Sequence, residues 1–144
     1  MSPPALSGLH HVTLPVSDLK AGAAWYATVL TGERMPALDH HDSAGGHVSA
    51  VLTVPGPGVP VQLRLAPDAT ATAGGYAALT LAVRDRSVLD QWAAHLDTAG
   101  ITHGRVTEAR DALGFHDPDG TLLRLRTEPV GGLTTPTPTV GGSL

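Results

Sequence analysis

The chain contains no cysteine. Disulfides, thiolate metal sites and cysteine nucleophiles are thereby excluded. Aromatic residues are scarce, at 3%, and charged residues make up only 15%. The net charge of −4 is too mild to draw nucleic acid or an anionic membrane, and no basic cluster exceeds two residues. No apolar run approaches the roughly 18 residues of a membrane span. The first residues lack the charged, apolar and small-residue order of a secretion signal. No phosphate loop, nucleophile elbow or dinucleotide fingerprint occurs, and Gly56-Pro57-Gly58 reads as a turn. A cytoplasmic protein is expected, with no nucleic-acid or membrane partner.

What is present is enough for a core. Hydrophobic residues are 42% of 144, and a chain of that length buries roughly 68–70% of its unfolded surface. It also repeats itself. Residues 12–31 recur at 79–98 with seven identities in twenty positions. Thr13, Leu14, Val16 and Asp18 match Thr80, Leu81, Val83 and Asp85, and Trp25, Ala27 and Thr31 match Trp92, Ala94 and Thr98. Such self-similarity marks two copies of one supersecondary unit.

The periodicity fills in the unit. Gly8–Val16 alternates as a strand, with Val12, Leu14 and Val16 on one face and His11, Thr13 and Pro15 on the other. Ser17-Asp18 starts a helix whose apolar face is Leu19, Ala23, Tyr26 and Leu30, and Gly32 closes it. Strands are expected at Glu33–Asp39, His47–Val54 and Val61–Ala66, with a polar turn at His40–Gly46. In the second copy a strand at Tyr76–Val83 leads to a helix begun by Asp85 or Ser87 and ended by Gly100. Strands follow at Ile101–Glu108, Ala112–His116 and Leu122–Thr127. Asp117-Pro118-Asp119-Gly120 between the last two is a hairpin turn, since Pro fixes φ early and Gly accepts positive φ late.

The expected fold class is α+β: two tandem βαβββ modules with pseudo-twofold symmetry, forming a concave mixed-sheet cleft. A single domain spans 6–129, with module one at 8–66, a linker at 67–75 and module two at 76–129. Residues 130–144 are a Gly/Pro/Thr-rich tail. Each helix covers one sheet face. The opposite faces carry His11, Thr13, Gln62 and Arg64 from the first copy, and Ala78, Thr80, Arg124 and Arg126 from the second. A half-polar concave face is where a small molecule binds.

Three features resemble the vicinal oxygen chelate superfamily, which includes glyoxalase I, fosfomycin-resistance transferases, bleomycin-resistance proteins and extradiol dioxygenases. They are Gly8-Leu-His-His-Val-Thr-Leu-Pro-Val-Ser-Asp-Leu19, the internal repeat, and Phe115-His-Asp-Pro-Asp-Gly-Thr-Leu-Leu-Arg-Leu125. The resemblance implies paired βαβββ modules, a cleft that usually holds a divalent metal, and a homodimer. It also places the four metal-ligand positions on His11, Arg64, Ala78 and Arg124. Only His11 among them has a side chain able to ligate. Alanine has no donor atom, and a guanidinium stays protonated and cannot coordinate a cation. No metal and no other cofactor is therefore expected at that position.

Two arginines at matched positions instead suggest a site for an anionic or enolic oxygen. His11 and Arg124 are the candidate catalytic residues, the first moving a proton and the second holding an oxyanion. Arg64, Gln62, Thr13, Thr80, Arg126, His47 and His116 are the candidate substrate-binding residues. The expected function is a metal-independent isomerisation, cyclisation or elimination on a small anionic or enolic substrate. The alternative is a drug- or metabolite-binding protein that sequesters its ligand. A second alternative is a metal-dependent lyase or dioxygenase with an unusual ligand set, such as His10 or His11 with His41 or His47. Otherwise Asp39-His40-His41-Asp42 reads as a solvated loop, Trp25 and Trp92 as core, and His95 and His103 as surface.

Overall fold

The computed structural model describes residues 3–70, 77–105 and 112–127. Residues 71–75 of the expected linker, Tyr76 at the start of the expected Tyr76–Val83 strand, the end of the Ile101–Glu108 strand from 106 onward, and 128–144, which include the tail, lie outside the described residues.

The first strand, β1 (Val12–Val16), starts later than its alternation suggests, so His11 stands just before it. Leu14 and Val16 are buried, while Thr13 is exposed. Helix α1 (Leu19–Val29) follows at once. Asp18 is its N-cap: the backbone is extended there, and the carboxylate accepts the Ala21 N–H at 2.9 Å. Leu19, Gly22, Ala23, Tyr26 and Val29 form the buried face. Gly22 has to be small, because a Cβ there would meet Val16 Cγ1 at 3.0 Å.

The helix ends differently from expectation. Leu30 is the C-cap and Thr31 takes the left-handed conformation, with φ 54°. Gly32 serves packing instead, since a Cβ on it would press Leu52 Cδ2 at 3.2 Å. A β-branched residue in that region is strained by about 1–2 kcal/mol. Thr31→Gly is therefore expected to raise stability by about 0.5–1 kcal/mol, after the loss of the Thr31 hydroxyl's bond to the Leu30 carbonyl. Urea unfolding with an unchanged m-value measures it.

Four strands complete the first sheet: β2 (Glu33–Arg34), β3 (His40–His41), β4 (His47–Thr53) and β5 (Val61–Leu65). The order is β1-β5-β4-β2, with β3 also paired to β4. The β1–β5 pair is parallel and the others are antiparallel. The single strand expected over Glu33–Asp39 is broken, because Pro36 opens a 3₁₀ turn at Pro36–Leu38. Proline has no N–H for a ladder, and its fixed φ suits the start of a turn. His40–His41, expected in a turn, is strand. One face of the sheet, with Leu14, Val16, Ala50, Leu52, Val61 and Leu63 all buried, is the core under α1. A short helix, α2 (Pro67–Thr70), replaces the first part of the expected linker.

The second copy gives β6 (Ala77–Val83), α3 (Arg86–Thr98), β7 (His103–Arg105), β8 (Ala112–His116) and β9 (Leu122–Thr127), with sheet order β6-β9-β8-β7. Asp85 caps α3 as Asp18 caps α1, accepting the Val88 N–H at 3.1 Å. That bond is the main cause holding its carboxyl below the usual range. Gly100, at φ 74°, lets the chain turn off the helix, and the Ile101 N–H closes onto the Leu96 carbonyl at 2.9 Å. Leu89 and Leu96 are buried, and Trp25 and Trp92 are half-buried. The chain is thus a mixed α+β fold with two sheets. It divides into two compact units, Met1–Leu79 with His116–Leu123, and Thr80–Phe115 with Arg124–Leu144.

The first unit contains a buried polar link. Asp117 is 5% exposed and opens the β8–β9 turn. Its Oδ1 accepts the N–H groups of Asp119 and Thr121, both at 2.9 Å. Its Oδ2 accepts the Tyr26 hydroxyl at 2.7 Å. The neighbouring Asp119 accepts from the Ser17 N–H at 3.1 Å and from its hydroxyl. Asp117 thereby ties the turn to helix α1, and Asp119 ties it to the segment that leads into the helix. Burial, and then the adjacent Asp117 charge, push the Tyr26 phenol well above its ordinary range.

Candidate functional site

The face of the first sheet turned away from α1 is fixed by register. Thr13 lies beside Gln62, Pro15 beside Arg64, Ser49 beside Arg64, and Val51 beside Gln62. All of these side chains share one face, because paired positions project to the same side. The Thr13 hydroxyl donates to the Gln62 carbonyl oxygen at 3.1 Å. This orients the amide so that its NH₂ group points elsewhere. Arg64 is exposed and makes no ion pair among the described residues. Its register neighbour Ser49 is fully buried, yet its Oγ has no hydrogen-bond partner. An unpaired buried hydroxyl costs about 1–3 kcal/mol unless something binds it. No local pattern singles out Ser49, because a serine in the strand run His47–Val54 reads as a small core residue.

The structure therefore brings Thr13, Gln62 and Arg64 onto one face and adds Ser49. It does not bring His11 into β1. His11 is exposed, and its Nδ1 lies 2.8 Å from Nδ1 of His10. His116 ends β8 with its side chain exposed. In the second copy Thr80 and Arg126 are exposed. Arg124 is half-buried between the buried Leu123 and Leu125, and its Nε is buried with no hydrogen-bond partner.

His47 belongs to a different arrangement. The 39–42 segment is not simply a solvated loop. Asp39 has a side chain only 7% exposed. Its Oδ1 accepts the Val51 N–H at 3.2 Å. Its Oδ2 meets Arg34 Nη2 and, at 3.0 Å, His47 Nε2. The His41 ring stacks on His47 at 4.7 Å between centroids. The hairpin of β3 and β4 makes this possible by setting His41 against His47 across the turn, which Asp42 closes by accepting the Ala44 and Gly46 N–H groups. Among the described residues no three His, Asp or Glu side chains are placed to hold a metal.

Of the four positions that the resemblance assigns to metal ligands, Arg64 and Arg124 carry only N–H donors, Ala78 carries no side-chain donor, and His11 has its Nδ1 against Nδ1 of His10.

A repeated strand–helix–sheet unit with a half-polar open sheet face defines a duplicated α+β fold of the glyoxalase type. The chain belongs to the Glyoxalase/Bleomycin resistance protein/Dioxygenase superfamily, whose sequence profile matches residues 8–125. Solved structures share the fold. A glyoxylase/bleomycin resistance protein/dioxygenase domain from Frankia sp. EAN1pec is 24% identical, with a TM-score of 0.65 over 88% of this chain and 96% of that one. TnmS3, an antibiotic-binding protein from Streptomyces sp. CB03234, is 22% identical, with a TM-score of 0.66 over 87% and 98%. A point mutant of the fosfomycin resistance protein FosX from Listeria monocytogenes, complexed with Mn(II) and 1S,2S-dihydroxypropylphosphonic acid, is 18% identical, with a TM-score of 0.67 over 88% and 97%. Among the described residues no helix is long and apolar enough to cross a membrane.

Proposed function

We propose that this member of the superfamily binds a small anionic or enolic organic ligand through guanidinium and hydroxyl donors, without a chelated metal, and sequesters it. The observation that carries the reading is the pairing of Arg64 with Ser49. One contributes an exposed forked cation; the other, at the adjacent register position on the sheet face away from α1, contributes a hydroxyl that is sealed without a partner in the free protein and becomes a donor when the ligand displaces what covers it. An oxyanion or enolate oxygen takes both kinds of donor. Gln62, pre-oriented by Thr13, supplies an amide N–H pair. The likeness in fold to an antibiotic-binding protein supports capture as the task.

A second reading is a metal-independent isomerisation, cyclisation or elimination. Arg124 favours it, because a buried Nε without a partner is an unused donor for an oxyanion. His11 favours it less, since it is exposed and precedes the strand. We further propose that the protein acts in the cytoplasm and as a homodimer.

The test is calorimetric titration of the intact chain with a panel of aromatic and polyketide-like acids and enols, each paired with its methyl ester or ether. The recovered ligand is analysed by mass spectrometry and NMR. Saturable binding of the acids or enols, weaker for the capped forms and with the ligand unchanged, supports sequestration. An isomerised or cyclised product transfers the assignment to the second reading. A stoichiometric divalent metal in untagged protein overturns both.

A further inference from the structure

A groove of about 440 Å³ runs along α1, where Leu19 and the residues after it face Arg34 of β2 and His47 of β4. That volume is within the roughly 300–1,000 Å³ of small-molecule sites. Its floor is Ala23, Ala24 and Ala27, and its rim carries Lys20, Arg34 and His47. Alanines one helical turn apart present a flat methyl surface with no long side chain to displace. The rim is basic, and no carboxylate is among the lining side chains.

The three basic groups are not equivalent. Asp39 lies behind the wall and is fully used: Val51 N–H on one oxygen, Arg34 and His47 on the other. It fixes Arg34 and His47 in place and neutralises one positive charge. Arg34 Nε, buried in the wall, has no partner. Lys20 has no ion pair among the described residues. It is also the only lysine in the chain, where every other fixed cation is arginine. The result is an apolar shelf with a surplus cation at its edge and a second cation held rigid beside it.

We propose that this groove is a second ligand site, distinct from the open face, for a flat aromatic monoacid. The ring lies over Ala23, Ala24 and Ala27, and the carboxylate or sulfonate reaches Lys20 and Arg34. Charge complementarity selects the acid. The small-residue floor selects a planar body, because a ring stacks on methyl groups over its whole face while a branched chain meets them only in part.

The probe is 2-naphthoate, with 2-naphthalenemethanol as its uncharged counterpart. Binding to the full chain is followed by methyl NMR with labelled alanine, and Lys20 is footprinted by reductive methylation. Three results are expected together. The Ala23, Ala24 and Ala27 methyl signals shift saturably with naphthoate. Lys20 is protected from methylation. Lys20→Glu and Ala24→Glu, both at exposed positions and both checked for an unchanged melting curve, weaken binding about tenfold or more, while the alcohol binds at least tenfold more weakly than the acid.

Several results would overturn the proposal. They are absence of saturable shifts, equal binding of acid and alcohol, and wild-type affinity in both variants. Shifts confined to the open face, at Ala66 rather than on α1, would do the same. So would alanine shifts on α1 that follow protein concentration without naphthoate, which would make the groove an interface between two copies of this chain. The open-face reading stands or falls separately, because its ligands are scored by Arg64 and not by Lys20.

Discussion

Asp117→Ala is expected to destabilise the protein by about 3–5 kcal/mol, the largest effect of any single polar change in the first unit. The side chain is buried and accepts three hydrogen bonds: the Tyr26 hydroxyl, and the N–H groups of Asp119 and Thr121. Removing it strands a phenol that is 1% exposed and frees two turn amides at once. Tyr26→Phe should cost less, about 1–3 kcal/mol, because it leaves both amide bonds to Asp117 intact. The two variants also separate by pH. The Tyr26 phenol is raised above its ordinary 10.0 in the folded state. Folded protein therefore holds that proton where the unfolded chain has lost it. The stability it represents is complete below about pH 10 and falls as pH rises further, by up to about 1.4 kcal/mol per unit. Urea midpoints measured from pH 8 to 11 should show this decline in the wild type and a flatter one in Tyr26→Phe. Equal slopes in the two proteins would mean that the phenol is not tied to the turn in solution.

Arg64→Ala should weaken the binding of an acidic ligand about 10- to 100-fold, with little change in melting temperature. A hydrogen bond to a charged group is worth about 1.5–3 kcal/mol, and each 1.4 kcal/mol is a factor of ten in affinity. Arg64 is exposed and makes no ion pair among the described residues, so its loss leaves no buried charge behind. Arg64→Lys should recover only part of the affinity, because an ammonium lacks the planar fork. Ser49→Ala is the complementary variant. It removes a buried hydroxyl that has no partner in the free protein. Stability should hold or rise slightly while affinity falls. Unchanged affinity in both Arg64→Ala and Ser49→Ala would remove the open face from the binding reading.

The repeat was the most legible part of the chain, and the physical reason is local. Thr-Leu-x-Val-x-Asp encodes an alternating strand followed by an N-cap, and both copies form that unit: β1 then Asp18 on Ala21, and β6 then Asp85 on Val88. The apolar positions Leu19, Ala23, Tyr26 and Leu30 at helical spacing are all buried. Legibility failed where local signals competed. Pro36 divided one expected strand into β2 and a turn, and Thr31 rather than Gly32 took the left-handed position because Gly32 was needed against Leu52.

The candidate sites were less legible, since a site depends on which side chains converge. Thr13, Gln62 and Arg64 could be placed on one face by counting along two strands. Ser49 could not, because its partner strand was unknown until β4 paired with β5 in the register that sets it beside Arg64. Asp39 read as part of a polar loop. Only the β3–β4 hairpin turns it inward against Arg34, His47 and the Val51 amide. The groove on α1 gave no signal either: alanines three and four apart are ordinary helix formers until a neighbouring strand raises a wall beside them.

By itself, then, the sequence determined the duplicated unit, its helix caps and its buried faces, because each follows from spacing along the chain. The tertiary structure alone decided that Tyr26 ends on Asp117 across 91 positions, that Ser49 is sealed without a partner, and that Lys20 overlooks an apolar shelf. Each of these is a relation between distant segments, set by strand pairing and helix packing, which no local pattern of residues contains.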